Sequence, residues 1–419
     1  MTAQTLGSPT TDPPVDLDSA RAHVAAVALS PGDERRVGLE LELHVVDLAV
    51  PGRRPAWSTV AALVRDAPPL PAGSALSLEP GGQVELSTQP APDLATAVEA
   101  LRTDLAVLRA ALRSRGLGGA GLGADPARPA LRTNPHPRYA AMEAHFDTVG
   151  CGPAGREMMT ATAALQVNLD AGRAPDWAGR LSLLHALVPV LVAASAGSPW
   201  LAGRRSGWHS MRQEAWYRID HARTGPVPEA TVTHGWPDRW ADYALAAPVM
   251  LVRDGDGLTP ARRRFSFAEW TARPALVGRP PTSSDLDYHL STLFPPVRPR
   301  GYLEIRCLDS LPDRWWPAMA ALAVTLVDDP VAADRAAELC EPVAARLEHA
   351  ARDGIADPVV RAATLGCVEV AAARCPVPLR DGVERLAALL GAGRTPGDEL
   401  HTRADAHGPL RLLEEEANA

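Results

Sequence analysis

Residues Val37 to Val46 read VGLELELHVV, a run in which leucine and glutamate alternate with period two. That period belongs to a β-strand, whose successive side chains point to opposite faces. Leu39, Leu41 and Leu43 then lie on one face and Glu40 and Glu42 on the other. The leucine face needs an apolar cover; the glutamate face needs cations, because two carboxylates at i and i+2 repel each other. Outward from this strand, Pro80-Gly81-Gly82 marks a turn into a second strand, Gln83 to Ser87. Asp93 then caps an amphipathic helix in which Leu94, Ala97, Leu101, Leu105, Leu108 and Leu112 recur at steps of three and four, with Gly116 as its stop.

Further strands are expected at Ala164 to Leu169 (ALQVNL), around Pro248 to Val252 (PVMLV) and at Gly301 to Leu308 (GYLEIRCL). From about Pro317 onward, Ala, Leu, Arg and Glu recur with helical spacing, interrupted at Asp328 to Pro330 and near Pro376 to Pro378. There is no internal repeat. Strands far apart in sequence, separated by helices and long loops, indicate an α+β fold with a helical C-terminal part. The expected division is a disordered leader over residues 1–15, rich in Pro, Thr and Ser, a catalytic domain over 16–316, and a helical region over 317–419 packed on that domain.

The chain has 419 residues, and all 42 of its basic side chains are arginine. Without lysine there is no Walker A loop and no Schiff base, so anions must be held by arginine, backbone amides or metal ions. Set against 50 acidic residues, those arginines give a formal charge of −8, which offers no support for nucleic-acid binding. Five cysteines (Cys151, Cys307, Cys340, Cys367, Cys375) without a CxxC pair suit a reduced, cytoplasmic chain. The uncharged stretch Leu181 to Gly203 is long enough to span a bilayer, but it contains Pro189 and several small residues and reads as a buried core helix. Gly116-Leu117-Gly118-Gly119-Ala120-Gly121 matches GxGxxG, yet it follows a helix and opens none, so a loop or short buried strand is expected instead of a dinucleotide site.

Carboxylates recur on the other strands. Glu85 lies inside the second strand with Glu79 just ahead of it, and Glu304 shares a strand face with Arg306. Taken singly, these residues also read as solvated strand faces or surface ion pairs. Together they give one sheet face an oxygen-ligand cluster suited to Mg²⁺ or Mn²⁺, with Arg306 as a fixed donor for a transferring phosphoryl group. Gln166 and Asn168 share a further face, available to a cation, to a substrate or to a satisfied buried pair. Ser206 to Arg223 places Arg212, Trp216, Asp220 and Arg223 at helix-like or loop spacing; an arginine here can hold an anionic substrate through a bidentate contact, and a solvated amphipathic helix is the other reading.

GLELELHVVD, LEPGGQVELST, TATAALQVNLD, SMRQEAWYRID, WADYALAAPVML and HLSTLFPPVRPRGYLEIRCLD stand in one order between about Val37 and Trp316. Together they resemble the glutamate-cysteine ligases of plant, proteobacterial and actinobacterial type. The resemblance implies a glutamine-synthetase-like catalytic domain whose curved, largely antiparallel sheet is flanked by helices and carries Mg²⁺ and ATP on its concave face. It implies metal-binding roles for Glu40, Glu42, Glu85 and Glu304, and catalytic roles for Arg306 and Glu304. Arg212, Asn168 and Gln166 become substrate-binding positions; Gln166 falls where some relatives place a metal-binding histidine, and Glu79 receives no single role. The implied reaction phosphorylates the γ-carboxylate of glutamate and then joins it to cysteine, giving γ-glutamylcysteine for ergothioneine or another small thiol. The other readings of the sequence are a ligase joining glutamate to a different amine and a noncatalytic metabolite-binding relative. A metallohydrolase would call for an HExxH-like histidine cluster, which is absent.

Overall fold

A computed structural model describes residues 12–32, 34–228, 235–254 and 257–419. Among them nine strands form: β1 (Val37–Asp47), β2 (Ala75–Leu78), β3 (Val84–Ser87), β4 (Leu117–Ala120), β5 (Ala164–Leu169), β6 (Leu251–Asp254), β7 (Gly257–Pro260), β8 (Val297–Pro299) and β9 (Leu303–Asp309). Seven of them make one antiparallel sheet in the order β2-β3-β1-β5-β9-β8, with β4 pairing the far end of β1; β6 and β7 form a separate hairpin. The α+β reading holds, and β1 lies at the sheet's centre because its leucine face is fully inside. Leu39, Leu41 and Leu43 are each 0% exposed.

That leucine face is covered by the helices Leu94–Arg113, Trp177–Ser195 and Trp316–Asp328 and by the last helix, Pro409–Asn418. The first of these begins and ends as its sequence signals require. Asp93 accepts from the Thr96 amide at 2.8 Å, and Gly116 takes the positive φ of 70° that lets the chain turn back into β4. The GxGxxG run is therefore a buried strand. A Cβ on Gly118 would stand 2.3 Å from the Ala417 carbonyl, so its glycine serves close packing against the last helix and not phosphate binding.

Among the described residues one helix, Ala174–Ser195, is long and apolar enough to cross a membrane. Leu181, Leu184, Leu187 and Leu191 on it are 0% exposed, packed between the sheet and the helices that follow residue 316. Those later helices break where proline demands, between Trp316–Asp328 and Pro330–Cys340 and again between Pro358–Arg374 and Val377–Gly391.

Two expectations need correction. The strand expected at Pro248 to Val252 begins only at Leu251: Pro248 has no N–H for a ladder and makes an isolated bridge to Ser266. Of the leader over residues 1–15, residues 1–11 lie outside the described part. The rest of it is held, since Asp12 accepts from the Ser284 amide at 3.0 Å and the Val15 amide donates to the Pro281 carbonyl at 2.9 Å.

Candidate active site

Strand register brings the acidic residues together. Glu42 on β1 pairs Glu85 on β3, Glu40 pairs Gln166 on β5, Asn168 on β5 pairs Glu304 on β9, and Glu304 pairs Arg298 on β8. Directly paired residues project from the same face, so these side chains form one polar surface on the side of the sheet away from the leucines. A register shift between Leu165 and Val167 brings Gln166 beside β9, where its Oε1 accepts from Arg306 at 2.6 Å.

Over that surface lies a cavity of about 640 Å³. Glu40, Glu42, Glu85, Gln166, Arg212, Glu304 and Arg306 all line it. Asn168 is outside the lining. It donates to Glu40 at 2.8 Å, while its Oδ1 is buried without a hydrogen-bond partner. Glu79, Arg138, Tyr139, Arg298 and Arg300 also line the cavity. The pattern PVRPRGYLE held a signal for Arg298: read as a hairpin, it places Arg298 opposite Glu304. Nothing local marks Arg138 or Tyr139, which arrive on the separate helix Pro137–Thr148.

The charges divide unevenly. Burial pushes the Glu42 carboxyl well above its usual range, and Glu79 and Glu85 push it further; the Arg212 guanidinium and then the Ala164 amide, donating at 2.9 Å, only partly offset this. Glu79 is pushed up to about 7, by burial first and Glu85 second. Glu40 is also raised, by burial and by Glu85 and Glu304. Glu304 goes the other way. Burial pushes it up, but the Arg306 and Arg298 guanidiniums outweigh burial and hold it at about 2. Arg298 grips both of its oxygens, at 2.5 and 3.0 Å, and Arg306 stands 3.0 Å from one.

Carboxylate oxygens with one neighbouring amide are the donor chemistry of Mg²⁺ and Mn²⁺, and the raised Glu42 and Glu79 mark unmet negative charge. The donor set fits such a cation. Among the described residues, however, no three acidic, histidine or cysteine side chains enclose one as placed. Of the four carboxylates expected to bind metal, Glu304 has its charge met by Arg306 and Arg298.

Arg212 enters from the helix Met211–Tyr217, whose N-cap Ser210 accepts from the Gln213 amide at 3.1 Å. Its guanidinium donates to the Arg306 carbonyl at 2.7 Å and, more weakly, to the Cys307 carbonyl at 3.4 Å, which ties the helix to β9. Arg212 is 3% exposed.

Comparisons with known proteins place the chain in a family. Residues 36–416 match the family Glutamate-cysteine ligase family 2. The chain is 48% identical over 407 residues to the glutamate–cysteine ligase EgtA of Mycolicibacterium smegmatis, covering 96% of each protein. It is 48% identical over 398 residues to EgtA of Mycobacterium tuberculosis, covering 94% of this chain and 91% of the relative. The fold is shared with a Francisella tularensis glutamate–cysteine ligase solved in complex with AMP, at a TM-score of 0.59 and 11% identity over 93% of this chain and 88% of that one. With the match running through the whole sheet and its carboxylate face, the chain belongs to glutamate-cysteine ligase family 2 and is a ligase of that family.

Proposed function

We propose that the protein joins the γ-carboxylate of L-glutamate to the amine of L-cysteine with ATP and Mg²⁺, giving γ-glutamylcysteine. The observation that carries this reading is one cavity with carboxylates on the β3–β1 side and guanidiniums on the β9–β8 side. Mg²⁺ held among Glu40, Glu42 and Glu85, with Glu79 at hand, would neutralise phosphate charge during transfer. Arg306 is fixed by Gln166 and Glu304 with its charge aimed into the same space, and in this reading it stabilises the transferring phosphoryl group. Arg212 receives a carboxylate of glutamate, and Gln166 and Asn168 keep Glu42 and Glu40 in place beside it.

Phosphoryl transfer from ATP to the γ-carboxylate gives an acyl phosphate and ADP; attack by the cysteine amine then forms the amide and expels phosphate. Neither step needs a covalent bond to the enzyme. We assign residues 16–316 to catalysis and 317–419 to a helical support, and place the protein in the cytoplasm, in keeping with its five free thiols. The similarity to EgtA relatives favours the ergothioneine branch, which an adjoining gene for a later step would support. ADP release from ATP, Mg²⁺ and glutamate tests the reaction. Cysteine must raise it far above alanine or 2-aminobutyrate; equal release with all three replaces cysteine with a general amine, and no release with any of them rejects the ligase reading.

A further inference from the structure

Asp309 ends β9, is 1% exposed and does not line the cavity. Its carboxylate is nonetheless among the most fully engaged in the molecule. The Gly197 amide donates to Oδ2 at 3.0 Å, the Ser198 hydroxyl to the same oxygen at 2.6 Å, and the Ser210 hydroxyl to Oδ1 at 2.9 Å. Arg212 Nη1 stands 3.9 Å from Oδ1. Burial raises the carboxyl against the pull of Arg212. Room for the group exists because residue 123 is glycine: a Cβ there would lie 2.6 Å from the carboxylate.

These contacts join three segments that are far apart in sequence. Gly197 and Ser198 follow the long core helix, Ser210 caps the helix that carries Arg212, and Asp309 closes the strand that carries Arg306. The Met211 amide donates to the Ser198 carbonyl at 2.8 Å and the Arg212 amide to Ser198 Oγ at 3.2 Å, so the start of the Arg212 helix is registered on the same knot. Arg212 in turn spends two donors on β9 carbonyls. A buried arginine with no carboxylate near it would favour any orientation that reached one.

We infer that Asp309 is a positioning residue: through Ser198, Ser210 and Arg212 it fixes the guanidinium that receives the substrate carboxylate, and so sets glutamate affinity without touching substrate. This rests on the reading that Arg212 binds glutamate. A charged buried hydrogen bond is worth enough that its loss changes a binding constant on the order of tenfold. The test compares Asp309→Asn, Arg212→Gln and the double variant of the full chain, following the KM for glutamate, the KM for ATP and kcat. Asp309→Asn is expected to raise the glutamate KM on the order of tenfold with the ATP KM little changed, and to add little to the loss already caused by Arg212→Gln. An Arg212→Gln protein with normal glutamate KM overturns the reading of Arg212 itself. A raised KM there beside a normal one in Asp309→Asn, or losses that add in full, overturns the inference about Asp309. Should Asp309→Asn fail to fold, Ser198→Ala removes the shortest contact together with the acceptor of the Arg212 amide, while the Ser210 cap on Gln213 remains; it must raise the glutamate KM in the same direction, and an unchanged KM rejects the proposal.

Discussion

The β3–β1 half of the site and its β9–β8 half face the same cavity with opposite electrostatics. Glu42 and Glu304 are carboxylates on the same sheet face, yet one is driven well above the usual range and the other held at about 2. Their surroundings account for the difference. Glu42 meets Glu79 and Glu85, with Arg212 too weak to offset them, while Glu304 meets two guanidiniums that outweigh its burial. One half is left short of positive charge and the other supplies it through the chain, which is the asymmetry a phosphoryl transfer between two anions requires.

The sharpest way to break this contrast is Arg306→Ala, which removes the guanidinium facing both halves. It is expected to lower kcat about 10³-fold, measured as ADP release at saturating substrates. Glu304→Gln strands Arg298 and Arg306 together in a buried place. It should destabilise the fold by about 3 kcal/mol, read from denaturant unfolding. Glu42→Gln does the reverse, because it removes charge from a place of repulsion. The metal-free protein should gain about 1 kcal/mol while Mg²⁺-dependent turnover falls, and a destabilised Glu42→Gln would show that the two halves are not opposed.

The smallest effect is in pH. Glu79 is raised to about 7, so the folded metal-free protein holds a proton that the unfolded chain releases near the ordinary carboxylate value of 4.5. Its contribution to stability is full below that value and is lost as pH rises through 7. Glu304, held at about 2, contributes stability above 4.5 that is lost as pH falls toward 2. In the proposed reading Mg²⁺ competes with the Glu79 proton, so the thermal shift caused by Mg²⁺ is expected to be larger at pH 8 than at pH 6. A shift independent of pH would remove Glu79 from the metal's neighbourhood.

Much of the site was legible because alternation is local. Glu40 and Glu42, and Glu304 and Arg306, reach the cavity in the pairs the alternation put on one face; Glu85 and Gln166 join them there, while Asn168, expected beside Gln166, lies outside the lining. The helix Leu94–Arg113 and the breaks at Asp329 and Pro376 were likewise written in caps, glycine and proline. Arg298 stood in a quoted stretch whose glycine turn carried the hairpin signal, but it was not among the expected site residues. Asp309 carried no local signal, since its partners Gly197, Ser198 and Ser210 lie about a hundred residues away, and Arg138 and Tyr139 reach the cavity from a helix outside the sheet.

By itself the sequence determined which side chains share a strand face and, through the absence of lysine, that any fixed cation in the site is arginine. Both follow from covalent geometry and composition. Only the tertiary structure decided which carboxylates meet each other and which meet arginine, because that depends on the order and register of strands brought together across the chain. A single step in register would exchange the polar and apolar faces, and burial of the leucines is what forbids it.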